Sequence, residues 1–285
     1  MEVSTKQTRI AESAQKHPDR SFVSLNHHLD MPWMREAFRR TRKDGAVGID
    51  GETAEHYAEN LEDNLNELLN QVKSGTYKAP PVRRGWVPKP DKQEHRAIGV
   101  PTFERKVLEC ALVQLLEPIY EQDFLDCSFG FWPERSQQDA LESIFQAIQN
   151  GCHWVIDADI RKYFDTMVHR YLRAFLNRRV RDGVVRRTLD KMLKAGVWEK
   201  GRVSYSDTGA PQGGVISPLL SNIYLHEVLD SWFVEQARPH LEGRAYLIRF
   251  ADDFLICCEY KRDAERLMNV LPKRFRKYGL ELHPE

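Results

Sequence analysis

The sequence predicts an α+β fold built on an antiparallel sheet, and two observations carry that expectation. Helical periodicities and short apolar strands follow one another in a set order: helices and a hairpin, then a strand, more helices, a second hairpin and a final helix. No βαβ unit with a glycine-rich phosphate loop occurs, which argues against a doubly wound parallel sheet. No internal repeat or low-complexity tract is visible.

Taken in order, residues 1–30 read as a loose arm or a short helix. Pro32 suits the first turn of a helix that carries Trp33, Met34, Ala37 and Phe38 through Arg40. Glycines 45, 48 and 51 make 43–51 a turn-rich loop. Thr53 suits the N-cap of a helix over 54–73, with Leu61, Leu65, Leu68 and Leu69 on one face. Pro80 and Pro81 close that region. Strands over 82–88 and 96–100, joined by a polar turn over 89–95, form an antiparallel hairpin. A long helix over 103–120 buries Val107, Ala111, Leu112, Leu115 and Leu116, and a second helix covers 137–150. A strand over 154–160 follows, then helices over 169–178 and 184–195. The loop at 207–214 is rich in glycine, and Ser217-Pro218 opens an apolar helix through Leu229. Strands over 245–250 and 254–258 enclose a tight turn at Asp252-Asp253. A helix over 261–278 follows, and 280–282 begins another extended piece.

Composition sets outer limits. The 285 residues are 41% hydrophobic and 29% charged, an ordinary globular balance with room for one large or two modest domains. No run of 18 apolar residues exists, so no membrane span is expected, and residues 1–20 lack the apolar core of a signal peptide. Cys110, Cys127, Cys152, Cys257 and Cys258 show no CxxC spacing, which reads as buried thiols in a reduced cytoplasm. Net charge is zero, with 42 cations against 42 acids, and taken alone that argues against holding a nucleic-acid backbone. The distribution argues otherwise. Segments 73–106 and 176–204 each hold nine Lys or Arg against three Asp or Glu. Such segments line one basic channel or cover solvated helix faces, and both readings stand at this point. His27-His28, His153, His169 and Cys257-Cys258 lack zinc spacing, and no Gly-x-Ser-x-Gly box is present.

The informative chemistry lies in Arg249-Phe250-Ala251-Asp252-Asp253-Phe254. Adjacent carboxylates repel and are costly to desolvate, yet a hairpin tip exposes them and a hard divalent cation offsets their charge. A plain surface turn stays open as well, because Asp is a common turn former. Asp159 follows the apolar 154–156 stretch, and strand alternation puts it on the same face as Asp157. Three converging carboxylates would suit two-metal phosphoryl transfer. One ion lowers the pKa of an attacking 3′-hydroxyl, and the other holds a triphosphate and its leaving pyrophosphate. Phe164 fits either a ring under a nucleotide sugar or a core aromatic. Gln212, in the Gly-rich loop, is a candidate donor to a base or phosphate, and the loop can approach a flat ligand closely. Lys89 and Arg96 flank the first hairpin's turn and fit either a triphosphate grip or a solvated loop.

Several blocks occur together in one order: Gly48-Ile49-Asp50-Gly51, 83–89, Arg96-Ala97-Ile98-Gly99-Val100-Pro101, Ser128-Phe129-Gly130-Phe131 with Arg135-Ser136, 157–165, 209–224 with Pro211-Gln212-Gly213-Gly214, Phe-Ala-Asp-Asp, and Lys277-Tyr278-Gly279-Leu280. From about residue 30 to its end the chain resembles the reverse transcriptases encoded by bacterial group II introns and their retron-like relatives. The resemblance implies a right-hand polymerase: an N-terminal extension over 1–75, fingers over 76–150 and a palm with an antiparallel sheet over 151–285. It implies Asp159, Asp252 and Asp253 as the catalytic, metal-binding set for two Mg²⁺ ions, with Mn²⁺ as a substitute. Ile160 would offer its backbone carbonyl to a metal. Lys89 and Arg96 would contact the incoming triphosphate, Phe164 would sense the sugar, and Gln212 would line the nucleotide pocket. The implied reaction extends a DNA primer with dNTPs on an RNA template, for retrohoming of a group II intron and alongside maturase help to its RNA.

Two local departures stand out. Trp132-Pro133-Glu134-Arg135 replaces the family's Arg-Pro-Gly-Arg, and Phe250 replaces the commoner tyrosine. Family members also continue past the position of Glu285 into a basic thumb, so a C-terminal thumb portion is an expected missing partner. A non-catalytic, intron-RNA-binding maturase fragment is the alternative reading. A nucleotide cyclase with a palm-like sheet is a more distant one, since it needs neither the Pro-Gln-Gly-Gly block nor the first hairpin.

Overall fold

Local capping and turn chemistry set most boundaries in the computed structural model, which describes residues 2–88, 95–132, 135–210 and 212–283. Of the two expectations for the first segment, the helix holds, as α1 (Val3–Lys16). Asp30 Oδ1 accepts from Trp33 N at 3.1 Å and starts α2 (Met31–Arg40). Thr53 accepts from His56 N and starts α3 (Ala54–Glu59), but Asn60 leaves helical geometry and α4 (Leu61–Ser74) begins anew. The single helix expected over 54–73 is therefore two. Strands β1 (Val82–Pro88) and β2 (His95–Val100) precede α5 (Phe103–Tyr120), which Thr102 caps. Helix α6 (Gln137–Gln149) opens on a reciprocal Ser136–Asp139 capping box. Strand β3 (Trp154–Ala158), the short α7 (Tyr163–Thr166), α8 (His169–Arg179) and α9 (Gly183–Leu193) follow. Next come β4 (Val197–Glu199), β5 (Arg202–Ser204) and α10 (Ser217–Leu225). Strands β6 (Ala245–Phe250) and β7 (Asp253–Cys258) and helix α11 (Lys261–Lys277) complete the order.

The described chain divides into two compact units, with α8 running across the division. The first comprises 1–123 and 176–217. Its core is α5, whose Val107, Ala111, Leu112, Leu115 and Leu116 are fully buried, as the periodicity predicts. Trp33 of α2 is buried beside it and donates from Nε1 to the Ala111 carbonyl at 3.0 Å. The sheet of this unit has the order β2-β1-β4-β5. The β1–β2 hairpin is antiparallel from Arg83↔Val100 to Pro88↔His95, while β1 pairs with β4 in parallel. The β4–β5 hairpin was not expected from the sequence.

The second unit comprises 124–175 and 218–285. Its sheet is antiparallel throughout, in the order β3-β7-β6, which is the expected antiparallel core. On one face Ile248 and Cys257 join Phe129, Ala140, Ala147 and Cys152 in an apolar cluster beneath α6. On the other, Phe254 of β7 stacks on Phe275 of α11 at 5.7 Å. The helix expected to stop at Leu229 runs on instead, through π-helical turns at His226–Asp230 and Phe233–Ala237. Among the described residues no helix is long and apolar enough to cross a membrane, and all five cysteines are free thiols.

Candidate active site

The acidic turn owes its shape to a two-residue hairpin. Phe250 pairs with Asp253, leaving Ala251 and Asp252 as the turn. Ala251 has φ +59°, a left-handed conformation that L-residues adopt only under constraint. Asp252 is half-buried and Asp253 exposed. The β3–β7 register runs from Trp154↔Cys258 to Ala158↔Phe254. β3 ends there, and the same register continued by one step would set Asp159 opposite Asp253. Opposed residues of antiparallel strands share a face at a Cα separation of about 4.5–5.5 Å. Asp159 is exposed there, and its backbone is held from the outer side by His283 N, which donates to the Asp159 carbonyl at 2.8 Å. Ile160 is buried and bridges to Leu282. Phe164 is only 8% exposed, against Tyr163 at 5.4 Å, so most of its ring is core. As the side chains stand, no three His, Cys, Asp or Glu among the described residues converge as metal ligands. The donors that the register aligns are carboxylate oxygens, the chemistry a hard cation takes.

Beneath the turn lies a buried polar network. Arg249 has no exposed side-chain surface and makes five hydrogen bonds. Its Nε donates to Asp230 Oδ1 at 2.8 Å and its Nη2 to Asp230 Oδ2 at 2.5 Å. Nη2 also donates to Ser128 Oγ at 2.7 Å. Nη1 donates to Asn222 Oδ1 and to the Ala251 carbonyl, both at 3.0 Å. Burial opposes the guanidinium charge, but the Asp230 carboxylate outweighs it and raises the Arg249 pKa above its ordinary value. Asn222 turns its Nδ2 to the Gly130 carbonyl at 2.9 Å. The 125–130 segment runs along β6, with Arg249 N donating to Cys127 O and Phe129 N to Arg249 O, each at 2.8 Å. Arg135 Nη1 ties that segment down through the Leu125 and Ser128 carbonyls. Tyr163 Oη donates to Ser221 O at 2.8 Å, and burial drives its pKa up.

The remaining candidates sit in the other unit. Arg96 is exposed on β2, paired with Val87. Lys89 lies outside the described residues, as does Pro211. Gln212 is half-buried, and its carbonyl accepts from Gly99 N of β2 at 2.6 Å. Gly213 follows at φ +106°, where a Cβ would come within 2.9 Å of Gly99 O. Behind this loop Glu109 of α5, fully buried and paired to Arg105 at 2.8 Å, accepts from Val215 N at 2.7 Å.

Residues 87–285 match the family described as reverse transcriptase (RNA-dependent DNA polymerase). The chain belongs to the reverse transcriptase family. The group II intron-encoded protein LtrA of Lactococcus lactis subsp. cremoris is 34% identical over 224 residues, covering 77% of this chain and 37% of the relative. Protein YkfC of Escherichia coli (strain K12) is 34% identical over 253 residues, covering 86% of this chain and 65% of the relative. The chain therefore spans from about a third to two thirds of the length of these curated relatives. A partial Cas6-RT-Cas1–Cas2 complex shares the fold, with a TM-score of 0.53 at 22% identity over 90% of this chain and 42% of that one.

Sequence alone does not single out the residues that hold the acidic turn. Arg249 was visible as a lone cation in an otherwise apolar strand, a signal that asks for a buried counter-charge. Asp230 and Asn222 give no such signal, since a polar residue in a helix is ordinarily solvated. Glu109 was readable as an acid on the apolar helix α5, four residues from Arg105.

Proposed function

We propose that this reverse transcriptase is an RNA-directed DNA polymerase core that adds dNTPs to a primer on an RNA template. In this reading 1–75 is an N-terminal extension, 76–150 the fingers and 151–285 the palm. The observation that carries it is the β3–β7 register, whose last pair, Ala158↔Phe254, directly precedes Asp159 on one strand and follows Asp253 on the other, with Asp252 in the adjoining turn. Asp159, Asp252 and Asp253 would hold two Mg²⁺, or Mn²⁺, with the Ile160 carbonyl as a further oxygen donor. When bound, the ions supply Lewis acidity to the 3′-hydroxyl and charge neutralisation at the phosphates. Lys89 and Arg96 would grip the triphosphate, Gln212 would line the nucleotide pocket, and the exposed edge of Phe164 would meet the sugar. Group II intron RNA is the proposed partner, on the strength of the LtrA relationship. A cytoplasmic setting agrees with five free thiols.

The test is dNTP addition to a primed RNA template with Mg²⁺, comparing wild type with Asp252→Ala and Asp159→Asn. Each substitution is expected to lower the rate by about a hundredfold or more. Wild-type rates in both variants would overturn the assignment. The intron-encoded relatives also favour a second role, intron-RNA binding, which is expected to survive Asp252→Ala because it does not need the paired acids.

A further inference from the structure

We propose that Arg249 is a positioning residue that fixes the acidic turn, with Asn222 and Ser128 as its anchors; this rests on the polymerase reading above. A charge sealed in a core is costly, and an apolar residue of similar size would serve stability alone at least as well. The guanidinium does something that such a residue would not. Its planar fork spends one edge on Asp230 and Ser128 and turns the other toward Asn222 and the Ala251 carbonyl. The Ala251 carbonyl belongs to the turn itself, two residues beyond Arg249. Ala251 also occupies a left-handed conformation that must be imposed by its surroundings. Asn222 bonds both to the guanidinium and to the Gly130 carbonyl. The Gly130 backbone lies so close that a Cβ there would stand 2.2 Å from Ala251 N. The turn is thereby gripped on one side by a cation and on the other by a glycine, with Asn222 linking the two.

Arg249→Lys keeps the charge beside Asp230, but one ammonium cannot reach four partners. Asn222→Ala removes the link without stranding a charge, so it serves where the lysine variant folds poorly. Three readouts on the full chain decide the matter: the melting temperature, amide hydrogen exchange, and steady-state primer extension. Positioning predicts exchange at 250–254 faster by about tenfold, with the other strands unchanged. It also predicts kcat lower by about a hundredfold with the dNTP KM changed less than about threefold, since Arg249 is fully buried and presents no surface to a nucleotide. Unchanged exchange at 250–254, or loosening spread evenly over the unit with a lower melting temperature and KM rising alongside the fall in kcat, would overturn the proposal. Asp252→Ala serves as the control for the underlying reading. Should that variant extend primers like wild type, the polymerase reading fails and the exchange data alone decide whether Arg249 positions the turn.

Discussion

Adding a single methyl group at Gly130 tests how tightly the acidic turn is built. In Gly130→Ala the new Cβ would stand 2.2 Å from Ala251 N, 2.9 Å from Ala251 Cα and 3.0 Å from Phe250 C, all of them backbone atoms. Ordinary contact begins at 3.4 Å, so the two segments must part by about 1.2 Å. Neither side yields freely. The 127–130 segment and β6 share two backbone hydrogen bonds of 2.8 Å, and Asn222 holds the Gly130 carbonyl. Overpacking of this kind costs about 1–3 kcal/mol. A displacement of about 1 Å at reacting groups costs about a hundredfold in rate. Thermal melts and single-turnover primer extension would read the two effects separately, with a modest fall in melting temperature and a large fall in rate expected. A Gly130→Ala chain that melts and extends like wild type would refute the claim that this contact shapes the turn.

Other perturbations probe the rest of the molecule. Gly183→Ala meets no atom within 4 Å at the start of α9 and is expected to be neutral or to stabilise by about 0.5–1 kcal/mol, measured by urea unfolding. Asp182 is buried, and its carboxylate accepts five N–H bonds from Leu25, Asn26, Val184 and Val185. Burial pushes its pKa up, and those donors outweigh it and hold the pKa below the ordinary 3.8. Its stabilisation is therefore fully present above about pH 4 and is lost as pH falls through the lowered value. Asp182→Asn should cost about 2–3 kcal/mol at pH 7, and the gap to wild type should narrow in acid; a gap independent of pH below 4 would count against this. Glu109→Gln weakens the acceptor for Val215 N and leaves Arg105 without its ion pair. The dNTP KM is expected to rise about tenfold, more than kcat falls, and an unchanged KM in a folded variant would detach the Gln212 loop from nucleotide binding.

The legible parts of the fold share one property: their signals are local. Helix α5 declares both ends because Thr102 caps it and its apolar stripe is unbroken to Tyr120. The β6–β7 hairpin declares itself because apolar runs flank a two-residue turn. The break at Asn60 was illegible because Tyr57 and Leu65 keep helical spacing across it. Strands β4 and β5 were illegible because their six residues are half-buried or exposed, so no apolar alternation marks them. Only the parallel partner β1, more than a hundred residues earlier, reveals them. The site divides in the same way. Asp252 and Asp253 are conspicuous as neighbours in sequence, whereas Arg249 and Asp230 become a pair only after the chain folds.

The β3–β7 ladder also has a consequence for how the protein comes into being. It joins segments separated by about a hundred residues, a closure that costs on the order of 4 kcal/mol of chain entropy before any pairing repays it. A slip of one residue would turn every side chain of β3 to the opposite face of the sheet. Asp159 is bordered on its outer side by His283, so the strand gains its last neighbour only when the 281–283 segment has arrived. On a ribosome building from the N-terminus, β3 would thus wait about a hundred residues for its partner β7, and a chain paired in the wrong register would lose the acidic arrangement proposed above.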